Sequence, residues 1–262
     1  MEIGLSAGIN DYTFPGKHGK VHFKFSYKQT AEETVIFIHG LACSLDSFRN
    51  LFDFNYLSDK NLLLIDLIGF GKSTKKPCDF SYKMVEHANA VDELLANLPS
   101  WNYHIVAHSM GGAVALLLPE RVLERTLTFT NIEGNLISND CGALSRGVTS
   151  LSFKDYENVL FHTQLKEFAG HHQLRFEEST AKAVYQSAVS LVEWSDGGKL
   201  LPMFENLRCR KSYFYGEENK AMPVLDRITF AEEFMISNSG HGLMTENPIE
   251  FYRSLQKFIN HN

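Results

Sequence analysis

The chain has 262 residues, 44% of them apolar and 21% charged. That balance fits one large domain, or one domain carrying a substantial insertion, and excludes a disordered chain. Lysine and arginine number 25 against 31 aspartate and glutamate, a formal charge of −6 with no basic cluster, which argues against a nucleic-acid backbone or an anionic membrane surface as the main partner.

The opening MEIGLSAGIND has no basic region followed by an apolar run, so no secretory signal is expected. The most apolar stretch, 62–70, is broken by Asp66 and is too short to span a bilayer. Cys43, Cys78, Cys141 and Cys209 lie far apart with no CxxC pair, as free thiols in a reducing compartment would. A soluble cytoplasmic protein is the expectation.

In chain order, 21–27 (VHFKFSY) alternates apolar and polar residues and reads as a half-exposed antiparallel strand at a sheet edge. The runs 34–39 (TVIFIH), 61–66 (NLLLID), 103–108 (YHIVAH) and 126–132 (TLTFTNI) are nearly continuous in hydrophobicity, as strands buried on both faces of a parallel sheet should be. Between the second and third of these, Met84, Ala88, Val91, Leu95 and Leu98 share one helical face over 82–98, with Pro99 and Ser100 as the stop. Small apolar residues at 110–118 read as a buried helix. Two more strands are expected at 211–215 and 233–236. Asn247-Pro248 starts a last helix with Phe251, Leu255, Phe258 and Ile259 on its core face. Alternating strands and helices define the α/β class, a mostly parallel sheet flanked by helices. Residues 135–210 carry amphipathic stretches near 154–168 and 179–193 and no convincing strand, so they are expected to form a helical cap inserted into a core of 1–134 and 211–262.

Ala107-His108-Ser109-Met110-Gly111-Gly112 follows a buried strand and opens a helix. A serine at such a turn, a nucleophile elbow, exposes its hydroxyl at the top of the sheet, and small neighbours allow close backbone approach. The Met110 N–H then lies at a helix N-terminus, where negative charge is favoured. His39-Gly40-Leu41 ends the first buried strand, and the Leu41 N–H is the candidate second donor to an oxyanion. Ser239-Gly240-His241-Gly242 puts a glycine-bracketed histidine on the loop after the last strand, placed to reach a serine across the sheet edge. His108, beside the serine, reads as structural. Gly69-Phe70-Gly71-Lys72-Ser73-Thr74 contains GK[ST], but the first glycine of a phosphate loop would fall at Asp66, so it reads as a turn. His171-His172 lacks a third ligand at metal spacing and reads as a solvated pair.

These motifs together resemble an α/β-hydrolase over nearly the whole chain: His39-Gly40, the loop from Asp66 to Ser73, the elbow at Ser109 and the late His241. The resemblance implies Ser109 as nucleophile, His241 as general base and then acid, and the Leu41 and Met110 amides as the oxyanion hole. The chain departs from the family at the acid. The G-x-x-D position after the strand preceding the histidine reads Gly216-Glu217-Glu218-Asn219, with an amide where a carboxylate is expected. Glu133, just past the strand at 126–132, is the favoured acid, because a charged residue at a buried strand's end needs a partner. Haloalkane dehalogenases place their acid there. Glu217 and Glu218 are the alternatives, and an incomplete set is the third.

The expected activity is hydrolysis of a small-to-medium, largely apolar ester or thioester through an acyl-enzyme, with no metal or organic cofactor. A pocket lining is expected from Leu136, Phe153, Phe161, Phe168, Val189, Trp194 and Phe204, most of which would serve the cap's own packing. The same residues would also serve a C–C bond hydrolase, a lyase, an acyltransferase or a non-catalytic binding module. Oligomeric state lies beyond the sequence.

Overall fold

The computed structural model describes residues 5–99, 101–171 and 173–261. Ser100 and His172, both singled out above, lie outside the described residues. Eight strands form one sheet in the order β1-β2-β4-β3-β5-β6-β7-β8. They are β1 (Gly8–Gly16), β2 (Gly19–Tyr27), β3 (Glu33–Ile38), β4 (Asn61–Ile65), β5 (Asn102–His108), β6 (Thr126–Ile132), β7 (Arg210–Gly216) and β8 (Glu232–Ile236). From β4 across to β8 every pairing is parallel, while β1–β2 and β2–β4 are antiparallel.

The expected strand at 21–27 forms, but it is not an edge. β1 pairs outside it along its whole length, and most of β2 is buried. The sequence of β1, GINDYTFPG, hides it: glycine, asparagine, aspartate and proline, all turn formers, break up the alternation, and Pro15 is tolerated because the outer side of an edge strand needs no ladder donor.

The parallel strands are apolar at successive positions because both faces are covered. In β3, Ile36 and Ile38 join one cluster with Phe23, Leu63, Ile105 and helix α1 (Met84–Ala96). Val35 and Phe37 join a second with Leu64, Val106, Phe214 and the C-terminal helix Pro248–Asn260. Met84, Ala88, Val91 and Leu95 are buried on α1 as their spacing requires. In the C-terminal helix Asn247 caps the Glu250 N–H, Pro248 stands in the first turn, and Phe251, Leu255, Phe258 and Ile259 are buried.

Residues 135–209 are helical with no strand among the described residues, and Arg210, expected in the cap, opens β7. The stretch near 154–168 is interrupted by a π turn at Tyr156–Leu160, and the next helix runs Ala181–Asp196. The latter lies on α1: the Ser190 hydroxyl accepts from the Met84 N–H at 3.1 Å, and the Ser187 hydroxyl meets His87 Nε2 at 3.1 Å. Phe161, Phe176, Leu191 and Phe204 belong to the same apolar cluster as α1. The Arg175 N–H donates to the Ala42 carbonyl at 2.7 Å, and Lys75 Nζ bridges the carbonyls of Gly71 and Glu178.

Candidate active site

Strand β5 runs straight into helix α2 (Met110–Leu116), and Ser109 is the hinge between them, at φ 52° and ψ −123°. A positive φ at a non-glycine residue costs backbone energy and persists only where the surroundings over-determine it. Here the Ser109 N–H donates to Ile132 O at 2.9 Å, and Ser109 O accepts from the Gly112 N–H at 2.9 Å. Gly111 is required by the neighbouring strand, since a Cβ there would stand 2.5 Å from Ile38 O and 2.7 Å from His39 O. The result is a half-buried serine held off the end of the sheet.

His39 sets the loop after β3. Its Nδ1–H donates to Gly40 O at 2.8 Å, and its Nε2 accepts from the Leu67 N–H at 3.0 Å. Both ring nitrogens are used in the neutral form, and burial pushes the imidazole below its ordinary value. In a trans peptide the N–H points opposite to the carbonyl. Holding Gly40 O toward His39 therefore turns the Leu41 N–H the other way. Leu41 lines the same cavity as Ser109. Met110 follows the serine at the first position of α2, among the N–H groups a helix leaves without an internal partner.

The histidine loop follows β8. His241 Nδ1 lies 2.7 Å from Glu133 Oε2, and the imidazole is half exposed while the carboxylate is buried. Glu133 stands one residue beyond β6 at φ 41°. Its Oε1 accepts from the Gly216 N–H at 2.8 Å, and Asn219 Nδ2 donates to both of its oxygens at 2.9 Å. Every partner of this carboxylate is a donor, which assigns the proton to His241 Nδ1 and leaves Nε2 with its lone pair.

The alternative acids are turned elsewhere. Glu217 Oε2 accepts from the Asn238 N–H at 3.0 Å. The Glu218 carboxylate lies against Gly240, where an added Cβ would meet its Oε2 at 2.8 Å. Neither makes a hydrogen bond to His241 among the described residues.

His108 is structural, as read, but its contact was not legible. Its Nε2–H donates to the His241 carbonyl at 3.0 Å, and the two rings are 4.6 Å apart. Burial drives it well below its ordinary value and His241 adds to this, which keeps it neutral. The glycine-rich loop after β4 is a turn built around Asp66. That carboxylate accepts from the Leu45 and Lys72 amides and meets His22 Nδ1, each at 2.8 Å. Burial alone would raise the Asp66 carboxyl, yet His22, His39 and the two amides hold it below its ordinary value. His171 is half-buried, and its Nδ1 accepts from the Gln173 and Leu174 N–H groups at 3.2 and 3.0 Å.

Ser109, His241 and Glu133 share a cavity of about 420 Å3 with Leu41, Leu144, Leu174, Leu191 and Met222. None of the seven apolar residues expected to line it does so. Leu136, Phe161 and Phe204 are in the shared core, and Phe153, Phe168 and Trp194 pack against it. Amphipathic helices spend their aromatic face on their neighbours, so the lining comes instead from the segment after Glu133 and the loop at 173–174, with Leu41, Leu191 and Met222 added from elsewhere. Asn135, Asp140 and Gln173 add a polar wall that the sequence reading did not find.

A family model described as the alpha/beta hydrolase fold matches residues 33–145. The chain adopts the α/β-hydrolase fold of that superfamily. A probable lysophospholipase of Arabidopsis thaliana, BODYGUARD 4, is 38% identical over 92 residues, 34% of this chain and 22% of that protein. Lipase 3 of a Moraxella species is 34% identical over 85 residues, 32% of this chain and 26% of that one. These matches thus span about a quarter or less of the curated relatives. Among solved structures, the N-acyl homoserine lactonase AidH superposes with a TM-score of 0.73 at 19% identity, covering 96% of both chains. An esterase from Exiguobacterium antarcticum gives 0.72 at 16% identity, covering 98% of this chain and 100% of that one. Among the described residues no helix is long and apolar enough to cross a membrane.

Proposed function

We propose that the protein is a serine hydrolase of small-to-medium, uncharged carboxylic esters or thioesters. The observation that carries this is the 2.7 Å pairing of His241 Nδ1 with a buried, fully donated-to Glu133 in the cavity that also holds the strained Ser109. Ser109 attacks the carbonyl while His241 Nε2 takes its proton, and Glu133 holds the imidazole in the productive tautomer. The amides of Leu41 and Met110 receive the developing oxyanion. His241 then protonates the leaving alcohol or thiol, and water releases the acyl group by the same steps.

Residues 135–209 act as the cap over this chemistry, supplying Leu144, Leu174 and Leu191 to the cavity wall. The wall itself disfavours an anionic substrate: Asp140 and Glu133 line the cavity, with no lysine or arginine among the described lining residues. The lipase and lysophospholipase names of the relatives support an ester bond as the target.

Fluorophosphonate labelling read by intact mass tests the nucleophile. One adduct is expected on the wild type and none on Ser109→Ala. An unlabelled folded wild type overturns the reading and leaves a binding module. Labelled protein then goes to p-nitrophenyl esters of graded chain length.

A further inference from the structure

The residue before the serine is not used by the chemistry above. His108 closes β5, where its backbone pairs with Ile132 of β6, and only 1% of it is exposed. Its ring touches two loops. Nε2–H donates to the His241 carbonyl at 3.0 Å, and the two imidazoles lie 4.6 Å apart. A Cβ added to Gly40 would stand 2.9 Å from His108 Nδ1 and 3.3 Å from its Cε1. The same ring therefore abuts the residue whose peptide presents the Leu41 N–H.

For stability alone a histidine is an unfavourable choice here. With Nε2 as the donor, Nδ1 keeps a lone pair that is buried without a partner. Such an atom forfeits the hydrogen bonds it would make to water. An aliphatic side chain of similar size would pack without that loss. What the histidine adds is one neutral donor aimed at the backbone of the general base. The His241 side chain is 52% exposed, so few packing contacts hold it. Its bond to Glu133 at 2.7 Å fixes Nδ1. An anchor on the backbone fixes where the ring starts, and the two together set the direction of Nε2. A lysine or arginine donor would put a positive charge beside an imidazole that becomes positive during the reaction. His108 stays neutral, because burial drives it well below its ordinary value and His241 adds to this.

We propose that His108 is a positioning residue: by tying the His241 carbonyl to a strand end packed against Gly40, it sets the general base relative to the oxyanion donors. It transfers no proton itself. The proposal rests on the serine-hydrolase reading and deepens it, since it gives the residue before the nucleophile a part in alignment beyond its part in the fold. Misalignment of the base acts after substrate has bound, so the effect belongs to kcat and not to KM.

His108→Leu and His108→Gln separate alignment from stability. Leucine keeps bulk and drops the donor, whereas glutamine returns an N–H at the same number of bonds from Cα. On p-nitrophenyl butanoate His108→Leu should lower kcat by about tenfold to a hundredfold, the scale of a displacement of about 1 Å, with KM within about threefold. Its melting temperature should not fall, and His108→Gln should recover most of the lost kcat. An unchanged kcat in His108→Leu, an equal loss in both variants, or a loss that only follows melting temperature overturns the proposal. Should His108→Leu fail to fold, His108→Met, also without a donor, takes its place, and failure of both to fold overturns the positioning role. Crystal structures of the variants supply a readout independent of turnover. The His241 ring should shift or lose order in His108→Leu and return in His108→Gln. A ring that is unmoved and equally ordered in His108→Leu overturns the proposal whether or not the protein cleaves esters, while an unlabelled wild type in the fluorophosphonate assay overturns only the hydrolase reading.

Discussion

The carboxamide of Asn219 holds the carboxylate of Glu133, donating from Nδ2 to Oε1 and Oε2 at 2.9 Å each. The amide found where the family's acid is expected is therefore not a vacancy in the site. It positions a carboxylate delivered from the end of a different strand, which in turn meets His241 Nδ1 at 2.7 Å.

Removing the Glu133 charge should cost more than removing either neighbouring carboxylate. Glu133→Gln is expected to lower kcat by about 10³–10⁴-fold, the scale on which a triad loses its acid. Glu217→Gln and Glu218→Gln should stay within about threefold, since neither carboxylate bonds to His241. Steady-state kinetics on one aryl ester decides this, and a large loss in Glu218→Gln would reassign the acid.

The position of Asn219 suggests a rescue. Its Nδ2 bonds the same Glu133 Oε2 that meets His241, so a carboxylate at 219 would stand beside the oxygen that faces the imidazole. In a Glu133→Gln background, adding Asn219→Asp should return activity by about tenfold or more. In the otherwise unchanged protein the same substitution sets two carboxylates against each other and should lower kcat. No gain in the double variant would show that the acid cannot migrate between the strands.

Ser109 is held at φ 52° and ψ −123°, which a glycine adopts without the steric penalty of a Cβ. Ser109→Gly should therefore be inactive yet more stable, by about 1 kcal/mol. The opposite sign is expected two residues on. Gly111→Ala drives a Cβ to 2.5 Å from Ile38 O, a backbone atom that cannot swing aside, and should destabilise by about 1–3 kcal/mol. Chemical denaturation of the two variants reads both signs.

Acid should destabilise the fold from about pH 6.5 downward. Burial lowers His39, His104 and His108 and pushes His87 down to about 3 from an ordinary 6.5. Below 6.5 the unfolded chain takes up protons that the folded chain refuses, so stability falls with pH by up to about 1.4 kcal/mol per unit for each such group. Asp140, raised by burial to about 6 from 3.8, acts in the other direction: its contribution is present at low pH and lost as pH rises through 6. One carboxyl does not offset several histidines. Melting temperature should drop between pH 7 and 5, with a shallower slope in His87→Gln. An unchanged slope would mean that His87 is not neutral in the fold.

Continuous apolar runs, a helix-period stripe, an Asn-Pro cap and a serine between a strand and small residues were legible in the sequence. Each follows from neighbours a few residues apart: period, propensity and steric allowance are local properties. They fixed β3 to β8, helix α1, the C-terminal helix, and the elbow at Ser109. The edge strand β1 escaped because an edge needs only one satisfied side, so its residues carry little pattern.

What only the tertiary structure decided is which distant groups share a space. Glu133 and His241 are 108 positions apart and Glu133 and Asn219 are 86 apart; no period or motif links them. Which of Glu133, Glu217 and Glu218 meets His241 turned on the direction of side chains at the ends of adjacent parallel strands. The cavity wall was decided in the same way. Amphipathicity marks which side of a helix is buried but not against what, so the aromatic residues went to the shared core while Asn135, Asp140 and Gln173 were left lining the cavity.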